Sequence, residues 1–341
     1  MKPITEDDLA RYLATRMTSW SGIRISNLTR LPMGASRETF RFDLAYSDDE
    51  GRHEDKIILR RDPPESNVDS DRQHEYNAYR AVYQRGIPVP RMILLEEDPR
   101  HFDGAISLAE DLRGYHNSEY QIQEPQWRAR LPKLAEGLWT AMGKLAALPC
   151  DDLDVGFMKP SSAATTAMQE LDYWEATLDA ANLGPEPIAR AAIRWMRQNP
   201  PPPAQKLAMV HGDFRAGNFL YDDAGELIAV LDWEMAHLGD PLEDLAWSMA
   251  RVLSFGKDER RSGVAPRADA IRIWQSASGL TVDPAALHWW ELAMCIKGQA
   301  IWNTGVAAWT KSDDPQIIYA YAAWWLHNSQ DRAILELMGK L

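Results

Sequence analysis

Cysteine is almost absent from this chain: Cys150 and Cys295 are the only two in 341 residues, and they share no metal-ligand spacing. That argues against a disulfide framework or a catalytic thiol, and two reduced, buried thiols are expected. Long apolar runs are lacking as well. No window reaches the roughly 18 uncharged apolar residues of a membrane-spanning helix. The N-terminal MKPITEDDLARYL carries acids where a signal peptide carries bases, so a cytoplasmic protein is expected. Basic excess is also missing. Thirty-seven Lys and Arg against 50 Asp and Glu give a net charge of −13 and a pI of about 5.1. Nucleic acid and anionic membranes are therefore poor partners, whereas a cationic substrate is permitted but not implied. No internal repeat is present, and no low-complexity tract beyond Pro200–Pro203.

What is present reads as an ordinary globular protein. The charged fraction is 26% and the apolar fraction 45%, which does not suit disorder. Glu6–Trp20 predicts a short amphipathic helix. Ile23–Leu31, Thr39–Tyr46 and Lys56–Arg61 predict strands, the last two joined by the polar connection SDDEGRHED. Asp69–Arg85 has helical periodicity and stops at Gly86, before Pro88 and Pro90. Arg91–Glu96 and Ala105–Glu110 are two further strands, joined by EDPRHFDG. The expectation is a five-stranded antiparallel sheet with one helix inserted after the third strand.

Composition and period change at Asp111–Gly114. Beyond it helices are predicted over Pro125–Leu148, Ser161–Ala181, Pro187–Gln198, Leu242–Leu253, Arg267–Ser278, Pro284–Trp309 and Pro315–Met338. Half of the 14 tryptophans follow Asp269, mostly at helical spacing. A packed aromatic core is expected, with a minority lining an apolar substrate pocket. The predicted fold class is α+β, with a β-rich lobe over 1–111 and a mostly helical lobe over 112–341. With a short hinge between the lobes and the set Asp213, Asn218 and Asp232 carried by the helical one, that plan is that of the protein-kinase-like fold.

The candidate chemistry lies in MVHGDFRAGNFLYDDAGELIAVLDWEMAHLGD, Met209–Asp240. Asp213 is the candidate catalytic base, because an attacking hydroxyl must be oriented and must lose its proton as a phosphoryl group arrives. His211 is grouped with it and is expected to hold the loop through hydrogen bonds. Asn218 lies five positions after Asp213, and Asp232 ends the apolar run Leu227–Leu231. An amide oxygen and a carboxylate suit Mg²⁺, a hard cation that takes oxygen ligands. Glu234 remains open between a further ligand, a group supporting one, and a surface residue. Asp240 is a helix-cap candidate, and Asp244 falls in the first helical turn.

VHGDFRAGNFL together with VLDWEMAHLGDPLEDLAW resembles the aminoglycoside phosphotransferase, or choline kinase-like, family of small-molecule kinases. The resemblance covers nearly the whole chain. It is nearest to the branch that includes kinase-like domains joined to acyl-CoA dehydrogenases. Gly212 stands where protein kinases usually have Arg, and no APE-type activation segment follows Asp232. The resemblance implies a phosphate-covering loop at Gly34, Ala35 and Ser36, with Met33 where the family often has a second glycine. It implies a phosphate-binding cation at the end of the third strand. Alternation selects Arg60 for that role, with Glu75 as its partner. It also implies a hinge at Glu110–Leu112 whose backbone meets adenine. The expected activity is ATP- and Mg²⁺-dependent phosphorylation of a small-molecule hydroxyl by a monomer or homodimer. Two alternatives stand beside it. One is a nucleotide-binding regulatory module without turnover. The other concerns the acceptor, an aminoglycoside-type antibiotic or a hydroxyacyl or other apolar alcohol.

Overall fold

Alternating burial along the early strands organises the first part of the chain. The computed structural model describes residues 3–31, 38–61, 72–254, 259–311, 317 and 321–341. Contacts divide the chain into two units: Met1–Tyr115 with Ala229–Glu234, and His116–Ile228 with Met235–Leu341.

The first unit contains α1 (Glu6–Arg16), β1 (Ser21–Arg30), β2 (Glu38–Asp48), β3 (Gly51–Arg61), α2 (Arg72–Val82), β4 (Met92–Glu96), α3 (Pro99–Phe102) and β5 (Ile106–Glu110). Its sheet has the order β1-β2-β3-β5-β4 and is antiparallel throughout. Phe40, Phe42, Leu44 and Tyr46 alternate along β2 and enter one core with Ile57, Leu59, Ile106 and Leu108. Helix α1 begins at Thr5, whose hydroxyl accepts the Asp8 N–H at 3.1 Å, with three acids in its first turn. It lays Leu9, Tyr12 and Leu13 on the same core. Each such buried side chain contributes about 1.5–3 kcal/mol.

Two connections are shorter than expected. SDDEGRHED is not a loop, because β2 and β3 pair through it as far as Asp48 and Gly51. Its polar residues pair across the strands instead. His53 Nε2 lies 2.7 Å from Asp48 Oδ1, and the His53 ring stacks on Tyr46, which stacks on Trp20. EDPRHFDG holds α3, capped by the Asp98 carboxylate, with Pro99 at the first helical position.

The second unit is built on helices: α4 (Leu131–Ala147), α5 (Thr166–Ala181), α6 (Pro187–Gln198), α7 (Leu242–Ser248), α8 (Arg267–Ser278), α9 (Pro284–Lys311) and α10 (His327–Leu337). Helix α4 begins later than expected, after two 3₁₀ turns at Gln121–Gln123 and Pro125–Trp127. Likewise α7 ends at Ser248, because Ala250 turns extended before a 3₁₀ turn at Arg251–Leu253. Helices α4 and α8 approach closely at Gly143, where a Cβ would lie 2.8 Å from the Trp274 carbonyl. Trp289 and Trp290 on α9 are buried edge to face, whereas Trp324 and Trp325 are exposed. Short strands β6 (Ala208–Val210), β7 (Phe219–Tyr221), β8 (Leu227–Val230) and β9 (His237–Gly239) carry the motif segment, and β6 pairs with β9. A small hairpin follows, β10 (Arg260–Arg261) with β11 (Ala265–Pro266). Both cysteines are free thiols, and Cys295 is buried. Among the described residues, no helix is long and apolar enough to cross a membrane.

Candidate active site

In the second unit the His211-Gly212-Asp213 turn leaves β6 and is clamped from two helices. The Asp244 carboxylate on α7 accepts the N–H of His211 at 2.7 Å and of Gly212 at 2.9 Å. The Lys297 ammonium on α9 donates to the Gly212 carbonyl. Asp213 N–H donates to His211 Nδ1 at 3.1 Å. His211 is fully buried and packs edge to face on Phe214. Gly212 has φ +81°, and a Cβ there would collide with the Met235 carbonyl. Both facts require glycine.

The Asp213 carboxylate is fixed by three donors. Trp247 Nε1 reaches Oδ1 at 2.7 Å, Asn218 Nδ2 reaches Oδ2 at 2.6 Å, and Arg215 Nε meets both oxygens at 3.2 Å. Asn218 Nδ2 also donates to the Asp213 carbonyl. Its amide nitrogen is thus committed, and its Oδ1 has no described hydrogen bond. An amide oxygen is a ligand type that Mg²⁺ accepts.

Lys297 was not anticipated, nor were its companions. Its ammonium is fully buried, 3.1 Å from Glu243 Oε1, and lies over the Trp174 and Trp247 rings at 5.4 and 5.1 Å. The other Glu243 oxygen bonds His237 Nε2 at 3.0 Å, and Glu170 approaches the same nitrogen at 3.3 Å. Ligand atoms of Glu170, His237 and Glu243 lie within 4.8 Å of one another, a spacing a metal ion can use. Here Lys297 already supplies the neutralising cation. A lone Lys inside the apolar run LAMCIKGQAIW was the available signal, since lysine is rarely fully buried unless paired.

Charge within this cluster is strongly biased. Burial works against the His237 cation, yet Glu243 and then Glu170 push its pKa up to about 10. Burial raises Glu243, but His237 and then Lys297 outweigh it and hold the carboxyl at about 2. A histidine whose folded pKa lies above its unfolded value stabilises the fold fully below about pH 6.5, and loses that contribution as pH climbs to about 10. The melting temperature should therefore fall between pH 7 and 10. His237→Gln should flatten that slope, and thermal melts across the range measure it. An equal slope in the variant would remove His237 as the cause.

In the first unit, Arg60 Nη1 lies 3.0 Å from Glu75 Oε1, and Glu75 is buried on α2. Burial opposes the Arg60 charge, but Glu75, Tyr79, Asp232 and Glu234 together hold its pKa above the ordinary arginine value. Asp232 follows β8 with φ +70°, a left-handed conformation that is strained for a non-glycine residue, and its N–H donates to Tyr79 Oη at 2.8 Å. The next residues form a 3₁₀ turn, Trp233–Met235, so strand alternation does not relate Glu234 to Asp232. Glu234 is exposed. At the end of β5, the N–H groups of Glu110 and Asp111 are used by the carbonyls of Arg91 and Lys56. Asp111 is bound by Arg41 at 2.7 Å and by Arg113 at 2.6 Å. The Leu112 N–H makes no described hydrogen bond. Gly34, Ala35 and Ser36 lie outside the described residues. Asp240 lies just before α7, with Pro241 at the cap position, and its carboxylate accepts the Leu242 N–H at 2.9 Å. Asp244, by contrast, is committed to the His211–Gly212 turn rather than to its own helix end.

An antiparallel sheet with one inserted helix, followed by a helical unit bearing an Asp and Asn loop, is a kinase-like fold. A crystal structure from Ralstonia eutropha, provisionally described as an aminoglycoside phosphotransferase, superposes with a TM-score of 0.75 at 16% identity, covering 99% of each chain. A thermostable mutant of an aminoglycoside phosphotransferase, in ternary complex with AMP-PNP and hygromycin B, gives 0.58 at 17% identity over 97% of this chain and 98% of that one. Residues 27–290 match the family model of the phosphotransferase enzymes, and the chain belongs to that family. Among curated proteins it is 27% identical over 176 residues to acyl-CoA dehydrogenase family member 11 of Gallus gallus, 51% of this chain and 22% of that one. The chain thus spans about a fifth of the length of that relative.

Proposed function

We propose that this phosphotransferase uses ATP and Mg²⁺ to phosphorylate a hydroxyl of a small molecule, with Asp213 as the base. The observation that carries the proposal is the Asp213 carboxylate, held by Trp247, Asn218 and Arg215 on a doubly clamped turn. A carboxylate so fixed can orient an incoming hydroxyl and take its proton, and Arg215 and Trp247 hold it in place. His211 acts by holding the turn. Asn218 through its amide oxygen and Asp232 through its carboxylate are the residues that would hold Mg²⁺. When bound, the ion neutralises charge on the phosphates. Arg60, oriented by Glu75, meets the phosphates. Glu110 and Leu112 offer backbone atoms to adenine, and the Leu112 N–H is available for it. Gly34, Ala35 and Ser36 complete the phosphate site in this reading.

For the acceptor, a hydroxyacyl or other apolar alcohol is favoured over an amino sugar. The relatives named as acyl-CoA dehydrogenase family members support that choice, and the neighbour bound to hygromycin B supports the alternative. A coupled ADP-release screen decides it, run over amino sugars, choline-like alcohols, macrolides and hydroxyacyl thioesters with Asp213→Ala as the blank. Acceptor-dependent ADP release only in the native protein is expected. Mg·ATP binding with no product from any acceptor would replace the proposal by a regulatory module.

Arg60→Ala tests the phosphate assignment. A charge-assisted hydrogen bond contributes roughly 1.5–3 kcal/mol, so nucleotide affinity should weaken by about 10- to 100-fold. Titration with a fluorescent ATP analogue reads this directly. Unchanged affinity would take Arg60 out of the nucleotide site.

A further inference from the structure

A cavity of about 360 Å³ opens in the second unit with a floor of Ala246, Met249, Cys295, Ala333 and Leu337. Helix α7 turns Trp247 toward Asp213 and presents Ala246 to this cavity, and none of the residues that bind Asp213 lines it. Three guanidinium groups stand around the apolar floor: Arg251, Arg261 and Arg267. Three carboxylates are there too, and two of the arginines use them. Arg251 binds Glu336 at 2.7 Å and Glu259 at 3.2 Å, and Arg267 binds Glu291 at 2.8 Å.

Arg261 differs. Its side chain is only 13% exposed, yet its closest carboxylate oxygen, on Glu259, is 3.9 Å away. The one described hydrogen bond of its guanidinium is long, 3.4 Å to the Glu259 carbonyl. A guanidinium has five N–H donors, and burying it without partners is costly. Burial, and next the charge of Arg251, drive its pKa below the ordinary arginine value. An under-satisfied planar fork facing an apolar hollow is suited to a bidentate oxyanion whose remaining body is apolar.

We propose that this cavity binds a small molecule bearing a carboxylate or phosphate on a short apolar body, with Arg261 as the anchor. The head group meets the guanidinium and the body covers Ala246, Met249 and Ala333. The proposal is independent of the phosphoryl-transfer reading.

Titration calorimetry on the full chain tests it with three probes that share one body: hexanoate, hexyl phosphate and hexylammonium. At least one of the two anions is expected to bind and the ammonium is not. The tighter anion identifies the head group. Arg261→Gln should weaken anion binding at least tenfold, whereas Asp213→Ala should leave it unchanged. Should Arg261→Gln fail to fold, Ala333→Leu fills the floor without altering charge and should weaken anion binding at least fivefold at an unchanged melting temperature. The proposal is overturned if neither anion binds, if hexylammonium binds as well as they do, or if anion affinity survives in the folded variants.

Discussion

Replacing Asp213 by Ala is expected to cut phosphoryl transfer by about 10²- to 10⁴-fold while nucleotide affinity stays within twofold. The geometry makes the loss specific. Asp213 collects donors from Trp247, Asn218 and Arg215, so the carboxylate is held in one orientation. No other carboxylate is described on those donors. Asp213→Asn should fail almost as badly. Its amide would present N–H groups to the Asn218 and Arg215 donors, and it cannot take a proton. The proposed nucleotide contacts at Arg60, Glu110 and Leu112 are untouched by either change, which is why binding should survive. Rates with an acceptor from the screen, together with analogue titration, measure both arms. Turnover near the native rate in either variant would end the assignment of Asp213 as base.

Lys297→Met should destabilise the protein by about 3–5 kcal/mol, the usual cost of leaving a buried charge without its partner. The side chain is completely buried, and together with His237 it compensates the charges of Glu243 and Glu170. Met is close to the aliphatic stem in length and removes the ammonium together with its place over the Trp174 and Trp247 rings, so the loss reports mainly the ammonium. The Gly212 carbonyl would also lose its donor. Urea denaturation measures the change, with Glu243→Gln and the double variant completing a cycle. The double variant should lose less than the sum of the singles, because removing both partners leaves less buried charge uncompensated. A change below about 1 kcal/mol in Lys297→Met would mean that the ion cluster does not hold the turn.

Some of this was legible in the sequence for identifiable reasons. Phe40, Phe42, Leu44 and Tyr46 alternate, so β2 and the face it buries could be read directly. Asp213 and Asn218 lie five apart in one loop, and the loop folds back to join them. Arg60 near the end of β3 and Glu75 in the first turn of α2 lie 15 positions apart, and the pair forms. Lys297 lies 54 residues beyond Glu243 and 85 beyond Gly212. No local period links such positions, and only the packing of α9 against α7 brings them together. Trp247 and Asp244 were hidden in a different way. Both sit in a segment that reads as an ordinary helix start, and their partners lie more than thirty residues upstream. The SDDEGRHED segment looked like a loop because its residues are polar. Polarity could not reveal that they pair across strands.

The chain leaves the first unit at Tyr115 and returns to it for only Ala229–Glu234. Val230 N–H then binds the Pro88 carbonyl, and Asp232 N–H binds the Tyr79 hydroxyl. During synthesis, Pro88 and Tyr79 therefore wait for partners made about 140 to 150 residues later. Closing those contacts requires a long loop, an entropic cost that slows folding. A ribosome paused before residue 229 would carry the first unit without its last segment. Such a nascent chain is where a chaperone would be needed most.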